Sequence, residues 1–334
     1  MKTNKYMINS KSFLVKNLIN EKKIQQIPTR QGFGEGLVEA GKKDERVVVL
    51  CADISDSTKA GMFRDAFPKR FVECGIAEQN MMGLAVGLAL SGKIPFVSTY
   101  AVFCPGVNWS QIRVLVGQNN ANVKITGAHA GISVGPDGMS HQALEDIALM
   151  RCLPGMIVIA PCDSIETKKA TLAAAQYKGP VYLRFTREAT TVFTTEKTPF
   201  KIGKAEIFRE GKDATIIGCG PLLYNAMIAA EKLAKEKIDV QIINSHTIKP
   251  LDEKTILEAA KKTGAIVTVE EHQIIGGLGS AVAEFLSKIY PVPVEMIGMQ
   301  DKWGESGQPD ELLKKFKMDV PAIITAVKKV LKRK

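Results

Sequence analysis

Histidine is scarce in this chain, four residues in 334, and tryptophan occurs only twice. No apolar run approaches the ~20 residues that a membrane-spanning helix requires, so the chain is expected in solution. Its six cysteines, Cys51, Cys74, Cys104, Cys152, Cys162 and Cys219, are scattered, most of them in apolar strand-like runs, and none forms a CxxC pair. That pattern argues against both a zinc site and a disulfide framework, and a reducing cytoplasm suits it best. Acid is nearly missing from the start of the chain: Glu21 is the single carboxylate in the first 29 residues, which also lack arginine. The mixed apolar pattern of Ile8, Phe13, Leu14, Leu18 and Ile19 imitates an organelle presequence, but those are rich in arginine.

What the ends hold is lysine. The net charge of +10 is concentrated at residues 2–23 and 314–334, without aromatic residues spaced to stack on bases, so a nucleic-acid partner is not indicated. Solvated lysines, or lysines facing an acidic partner or an anionic substrate, are the better reading. Hydrophobic residues at 45% and charged residues at 24% are those of an ordinary globular protein. The length suits about two domains of ~100–200 residues each.

From Arg30 onward, short β-branched runs at 47–51, 94–98, 123–126, 157–160 and 181–185 alternate with helical stretches. Alternation of that kind predicts a parallel sheet covered by helices. A polar stretch rich in threonine and lysine, 188–204, breaks the rhythm, and a second series of runs follows at 214–218, 240–244, 265–270 and 294–297. The expected organisation is an N-terminal arm (1–29), a first domain (30–190) and a second (205–334), both α/β, doubly wound and mainly parallel. The segment 79–90 is helical in length and apolar all round, with Gly83 and Gly87 four apart, and is expected to be buried, plausibly at a subunit interface.

Two places carry candidate chemistry. Glu78 puts a carboxyl group at the start of that apolar helix, a setting in which burial favours the protonated form. The Gly-rich run 127–142 gathers His129, Asp137 and His141 after a strand, where parallel sheets bind ligands. Its eight- and four-residue spacings do not match a helical metal pair, which favours acid–base or anion-binding roles over a metal. Arg30, Arg184 and Arg187 lie beside expected element ends, and a guanidinium fork suits phosphate.

Together these residues carry a resemblance. Gly75-Ile76-Ala77-Glu78-Gln79, Thr99-Tyr100 with Phe103, and Asp137-Gly138 with His141-Gln142 resemble the thiamine-diphosphate pyrimidine-binding domain of transketolases. Ile248-Lys249-Pro250-Leu251-Asp252, Val269-Glu270-Glu271-His272 and Gly276-Gly277-Leu278-Gly279 are similar to that family's C-terminal domain. The resemblance implies that Glu78 hydrogen-bonds the cofactor's aminopyrimidine ring and promotes loss of the thiazolium proton. It implies that Tyr100, Phe103 and Asp53 lie around the cofactor. Arg30, Ser57, His129, Asp137, His141 and Arg187 would contact a sugar phosphate, with His141 the better proton-transfer candidate. Relatives often carry a further aromatic residue where this chain has Gly106. The implied reaction moves a two-carbon ketol unit from a ketose phosphate to an aldose phosphate.

The family's Gly-Asp-Gly run, which binds the diphosphate through magnesium, is missing here. The chain is therefore expected to act with a partner subunit that supplies that motif, as a heterotetramer of two such chains and two partners. Two rival enzymes share part of the pattern. Deoxyxylulose-phosphate synthases usually have arginine in place of His129, and the beta subunits of 2-oxo acid dehydrogenases usually run Gly-x-x-His-Ser-Gln in this loop. An inactive remnant would have no physical reason to keep Glu78, both loop histidines and both arginines.

Overall fold

The computed structural model describes residues 8–19 and 24–334. In chain order the strands are β1 (Gln26–Pro28), β2 (Val47–Cys51), β3 (Phe71–Glu73), β4 (Ile94–Tyr100), β5 (Lys124–Ala128), β6 (Ile157–Ile159), β7 (Val181–Arg184), β8 (Ala189–Thr191), β9 (Glu206–Arg209), β10 (Ala214–Gly218), β11 (Val240–Asn244), β12 (Thr247–Lys249), β13 (Ile266–Gln273) and β14 (Val294–Met299). A seven-stranded sheet has the order β12-β6-β7-β5-β4-β2-β3, and a five-stranded sheet the order β14-β13-β10-β11-β9. Interior pairings in both are parallel, as the alternating runs predict. Strands β2, β5, β7, β10 and β11 are buried at every position, which follows from helices covering both faces.

The antiparallel pairings lie at edges: β12 on β6, β9 on β11, and a separate ribbon of β1 with β8. The ribbon places β8 inside the polar stretch that interrupts the sequence rhythm. After β11 the chain crosses to the larger sheet, where β12 pairs Thr247 with Ile159. One apolar core accordingly runs through both sheets, joining Leu50, Ile125 and Val158 of the first to Ile217, Ile243 and Ile266 of the second.

The helix Glu78–Leu90 differs from expectation. Met81, Met82, Ala85 and Val86 pack inward, while Gly83, Leu84, Gly87 and Leu90 face outward, Leu90 at 76% exposure. Val72, Ile76, Val107 and Val114 are further exposed apolar side chains of this domain. The helix is apolar all round, yet the chain covers only one side of it.

A buried ion pair ties the sheets together behind these loops. Asp146 Oδ2 accepts from Tyr182 Oη at 2.7 Å and from Arg184 Nε at 2.8 Å, and Arg184 Nη2 donates to Ala143 O (3.2 Å) and to Glu271 O (2.7 Å) on β13. Removing one member of a buried pair strands the other charge. Replacing Arg184 with leucine is expected to lower the unfolding free energy by about 3–5 kcal/mol, measured by chemical denaturation at neutral pH.

Candidate active site

In a parallel sheet the loops after the strands gather along one edge. Here the segments after β2, β5 and β7 deliver Ser57, His129 and Arg187, and the last residue of β4 is Tyr100. Ser57 Oγ lies 2.7 Å from Tyr100 Oη and 3.4 Å from His129 Nε2, and the Tyr100 and His129 rings are 4.1 Å apart. Phe103 stacks near Tyr100 at 6.0 Å and meets His141 edge-on at 5.7 Å. Arg187 Nη1 donates to Asp137 Oδ2 at 3.0 Å. Arg30, on the helix Thr29–Lys43, donates through Nη1 to Ser57 O at 2.8 Å. Its neighbour Thr29 fixes this helix against β7's exit, taking the Thr186 N–H on Oγ1 at 2.8 Å. Arg30, Ser57, Tyr100, Phe103, His129, Asp137, His141 and Arg187 therefore form one cluster.

The cluster is short of negative charge. Burial, and then repulsion from Arg187, lowers the pKa of Arg30, whose buried Nε has no hydrogen-bond partner. His129 is 1% exposed, with a left-handed φ of 55° and, among the described residues, no partner on Nδ1. Burial pushes its pKa down to about 3, helped by Arg30, Arg187 and His141, so its ring is neutral and able to exchange hydrogen bonds without carrying charge. Two guanidinium groups with unfilled donor capacity suit an anionic group with several oxygens.

Among the described residues, neither Glu78 nor Asp53 shares a hydrogen bond or ion pair with the cluster. Glu78 is 8% exposed, and no described residue hydrogen-bonds its carboxylate, whereas Asn108 Nδ2 donates to its main-chain oxygen at 3.1 Å. Asp53 is exposed with φ 59°, and its N–H donates to Glu73 Oε1 at 2.8 Å. The same oxygen accepts the Gly75 N–H at 3.1 Å, so Glu73 joins the Asp53 loop to the loop that presents Glu78. The surface around Glu78 is open: Ile76 is 80% exposed. Among the described residues, no group of three His, Cys, Asp or Glu side chains converges as a metal site would require.

Arg184, Gly106, His246 and His272 take structural places outside the cluster. Arg184 is committed to Asp146. A Cβ on Gly106 would lie 1.8 Å from Val102 O, so an aromatic residue there requires a different backbone. His246 stacks on Phe200 at 4.2 Å and His272 holds the Gln273 carbonyl at 2.7 Å, both fully buried. Sequence reading missed Glu73 and Asn108, whose partners are fixed only by folding. It also named Gln142 and Glu271 as motif letters without giving them roles.

A two-sheet unit with a carboxylate at an open helix start and a cationic loop cluster beside it is what a transketolase-type pyrimidine-binding domain joined to its C-terminal domain presents. Family models for these two domains match residues 25–192 and 203–323 respectively. The chain belongs to the transketolase family. It is 47% identical, over 91% of its length, to a chain described as a transketolase C-terminal section from Methanocaldococcus jannaschii, covering 96% of that protein. It is 38% identical to the 6-deoxy-6-sulfo-D-fructose transketolase subunit of a Clostridium species, over 94% of this chain and 98% of the relative. A solved split-gene transketolase, in an inactive beta4 tetramer, matches with TM-score 0.87 and 45% identity, over 92% of this chain and 99% of that one.

A histidine held neutral by burial couples folding to pH. From pH 6.5 down to about 3 the unfolded chain binds a proton that folded His129 refuses. Its contribution is complete above pH 6.5 and is lost as pH falls, at about 1.4 kcal/mol per unit for each such group. The variant His129→Gln is expected to flatten the fall in unfolding free energy between pH 6 and 4 by about that slope, read from denaturation curves at several pH values.

Proposed function

We propose that this chain is the pyrimidine-side subunit of a thiamine-diphosphate-dependent transketolase, moving a two-carbon ketol unit between sugar phosphates in the cytoplasm. The observation that carries the reading is the half-built site: a Glu78 carboxylate without a hydrogen-bond partner among the described residues, at the edge of an apolar face that those residues leave open. A second subunit with a Gly-Asp-Gly motif would close that face and hold the diphosphate with a divalent ion. Two chains of each kind would make the assembly. The names of the relatives, a section, a subunit and a split gene product, support this division.

The residues fit the cofactor's aminopyrimidine in kind: a carboxyl group free to hydrogen-bond a ring nitrogen, with Tyr100 and Phe103 as aromatic walls. When bound, the cofactor supplies a nucleophilic carbon and an electron sink. Glu78 would hold or share the proton that readies it. His129 and Ser57 would hydrogen-bond the sugar's oxygens, and His141 would move a proton at the carbonyl oxygen. Arg30 and Arg187 would clamp the anionic end. One relative is named for a sulfonated sugar, and a sulfonate presents the same three-oxygen face to two guanidinium groups, so the clamp suits phosphate and sulfonate alike.

Mixing the purified chain with a subunit that carries the Gly-Asp-Gly domain is expected to produce magnesium-dependent ketol transfer that neither shows alone. In that mixture Glu78→Gln should preserve assembly and cut turnover by about 10²-fold or more. Near-normal turnover would sink the assignment. For Arg187→Ala, KM for a phosphorylated or sulfonated ketose should rise by about tenfold or more, while an uncharged donor is little affected. Equal losses on both kinds of donor would remove the clamp.

A further inference from the structure

The loop at 131–143, which carries Asp137 and His141, is closed at its base and held from the second domain. Gly131 N donates to Ala143 O at 3.0 Å, and Ala130 bridges Ala143. Inside the loop, the buried Gln142 amide donates to Ile132 O at 3.1 Å and Gly135 O at 3.3 Å. Two further supports come from elements after β12. The same Gln142 Nε2 reaches Glu305 O at 2.9 Å, beside Gly304, where a Cβ would lie 1.9 Å from Gln142 Oε1. Glu271, on β13, accepts the Ser133 N–H on Oε2 at 3.0 Å. Gly131, at φ 93°, is packed so closely on this carboxylate that a Cβ would sit 2.5 Å from Oε2. Arg184 completes the brace by binding Ala143 O and Glu271 O with one nitrogen.

We propose that Glu271 is a positioning residue for the substrate loop: through Ser133 and Gly131 its carboxylate sets where Asp137 and His141 stand. The second domain thereby acts on sugar recognition without bringing a side chain into the Tyr100–His129 cluster. This rests on the proposed sugar-binding role of the loop. Its neighbour Glu270 makes the natural control. Successive strand residues face opposite sides of the sheet, and Glu270 turns instead to the helix Leu278–Ile289, capping Leu278 N at 2.7 Å and Gly279 N at 2.8 Å. Both carboxylates are buried acceptors of main-chain N–H groups, but only Glu271 faces the loop.

The test compares wild type, Glu271→Ala, Glu271→Gln and Glu270→Gln, each mixed with the partner subunit and each also studied as the full chain by amide hydrogen exchange. For Glu271→Ala, KM for the phosphorylated ketose should rise about tenfold or more and kcat should fall with it, with cofactor affinity little changed and amides 132–141 exchanging faster. Glu271→Gln keeps an acceptor for Ser133 and should recover most of the wild-type KM. Glu270→Gln should lower the thermal midpoint with no change in KM. Unchanged KM and unchanged loop exchange in Glu271→Ala would overturn the proposal, as would a KM rise of the same size in Glu270→Gln. If Glu271→Ala does not fold, Glu271→Asp, which draws the carboxylate back from Ser133, takes its place: loop exchange no faster than in Glu271→Gln overturns the proposal. If the wild-type mixture shows no ketol transfer, the enzymatic reading falls, and the exchange comparison still settles whether Glu271 fixes the loop.

Discussion

The Asp146–Arg184 pair is the interaction on which the site's geometry hangs. Burying both charges is costly, and the cost is offset only because the guanidinium also serves Ala143 O and Glu271 O while the carboxylate takes the Tyr182 hydroxyl. The apolar alternative would save desolvation but would take the guanidinium donor from Glu271 O and from Ala143 O, the latter keeping only the Gly131 N–H. The pair also dictates residues around it. A Cβ on Gly127 would lie 1.9 Å from Tyr182 Oη, so β5 must carry glycine where the phenol crosses to Asp146. One residue beyond β5 comes His129, and the loop it opens ends at Ala143, which Arg184 holds. The strand end, the loop's base and the second sheet are thus located by a single charged contact.

In front of that contact the site is cationic. Arg30 and Arg187 repel each other, and both disfavour protonation of His129, with only Asp137 and Glu188 offering Arg187 a carboxylate. The chain tolerates this because Thr29 and Thr186 lock the two backbone segments together independently of the charges. An anion entering here would relieve repulsion that the fold otherwise carries, which places recognition in the electrostatics rather than in a closed pocket. Asp137 is part of that balance. It is half-exposed and bound to Arg187, so a ligand anion must share that arginine with it or displace it.

How much of this was legible in the sequence depends on how local the cause is. The fully buried strands β2, β5 and β7 announce themselves as β-branched runs, because burial on both faces favours apolar residues, with Lys124 and Arg184 the charged exceptions. The edge strands β1, β8 and β12 do not, being three residues each and paired antiparallel to segments far away in the chain. The cluster residues were legible through their motif company, since His129, Asp137 and His141 lie within one loop. Glu271 was not, because its partner Ser133 is 138 positions away and a glutamate after an apolar run carries no sign of which face it takes. Glu73 was invisible for the same reason, its role being two N–H groups brought to one oxygen by the turn after β3.

The helix Glu78–Leu90 makes the strongest case that the chain does not complete its own site. Glycine within a helix costs about 1 kcal/mol relative to alanine, and this helix has two, Gly83 and Gly87, at which an added Cβ would meet nothing within 4 Å. None of the described residues gains from their smallness. Close approach by another surface is what would repay it, and Leu84 and Leu90 beside them give that surface something apolar to bury. The same helix begins with Glu78. Whatever docks along its outer face also reaches the start of the helix, where Glu78 is already 8% exposed. A surface docked there would complete surroundings of Glu78 that the described residues alone do not.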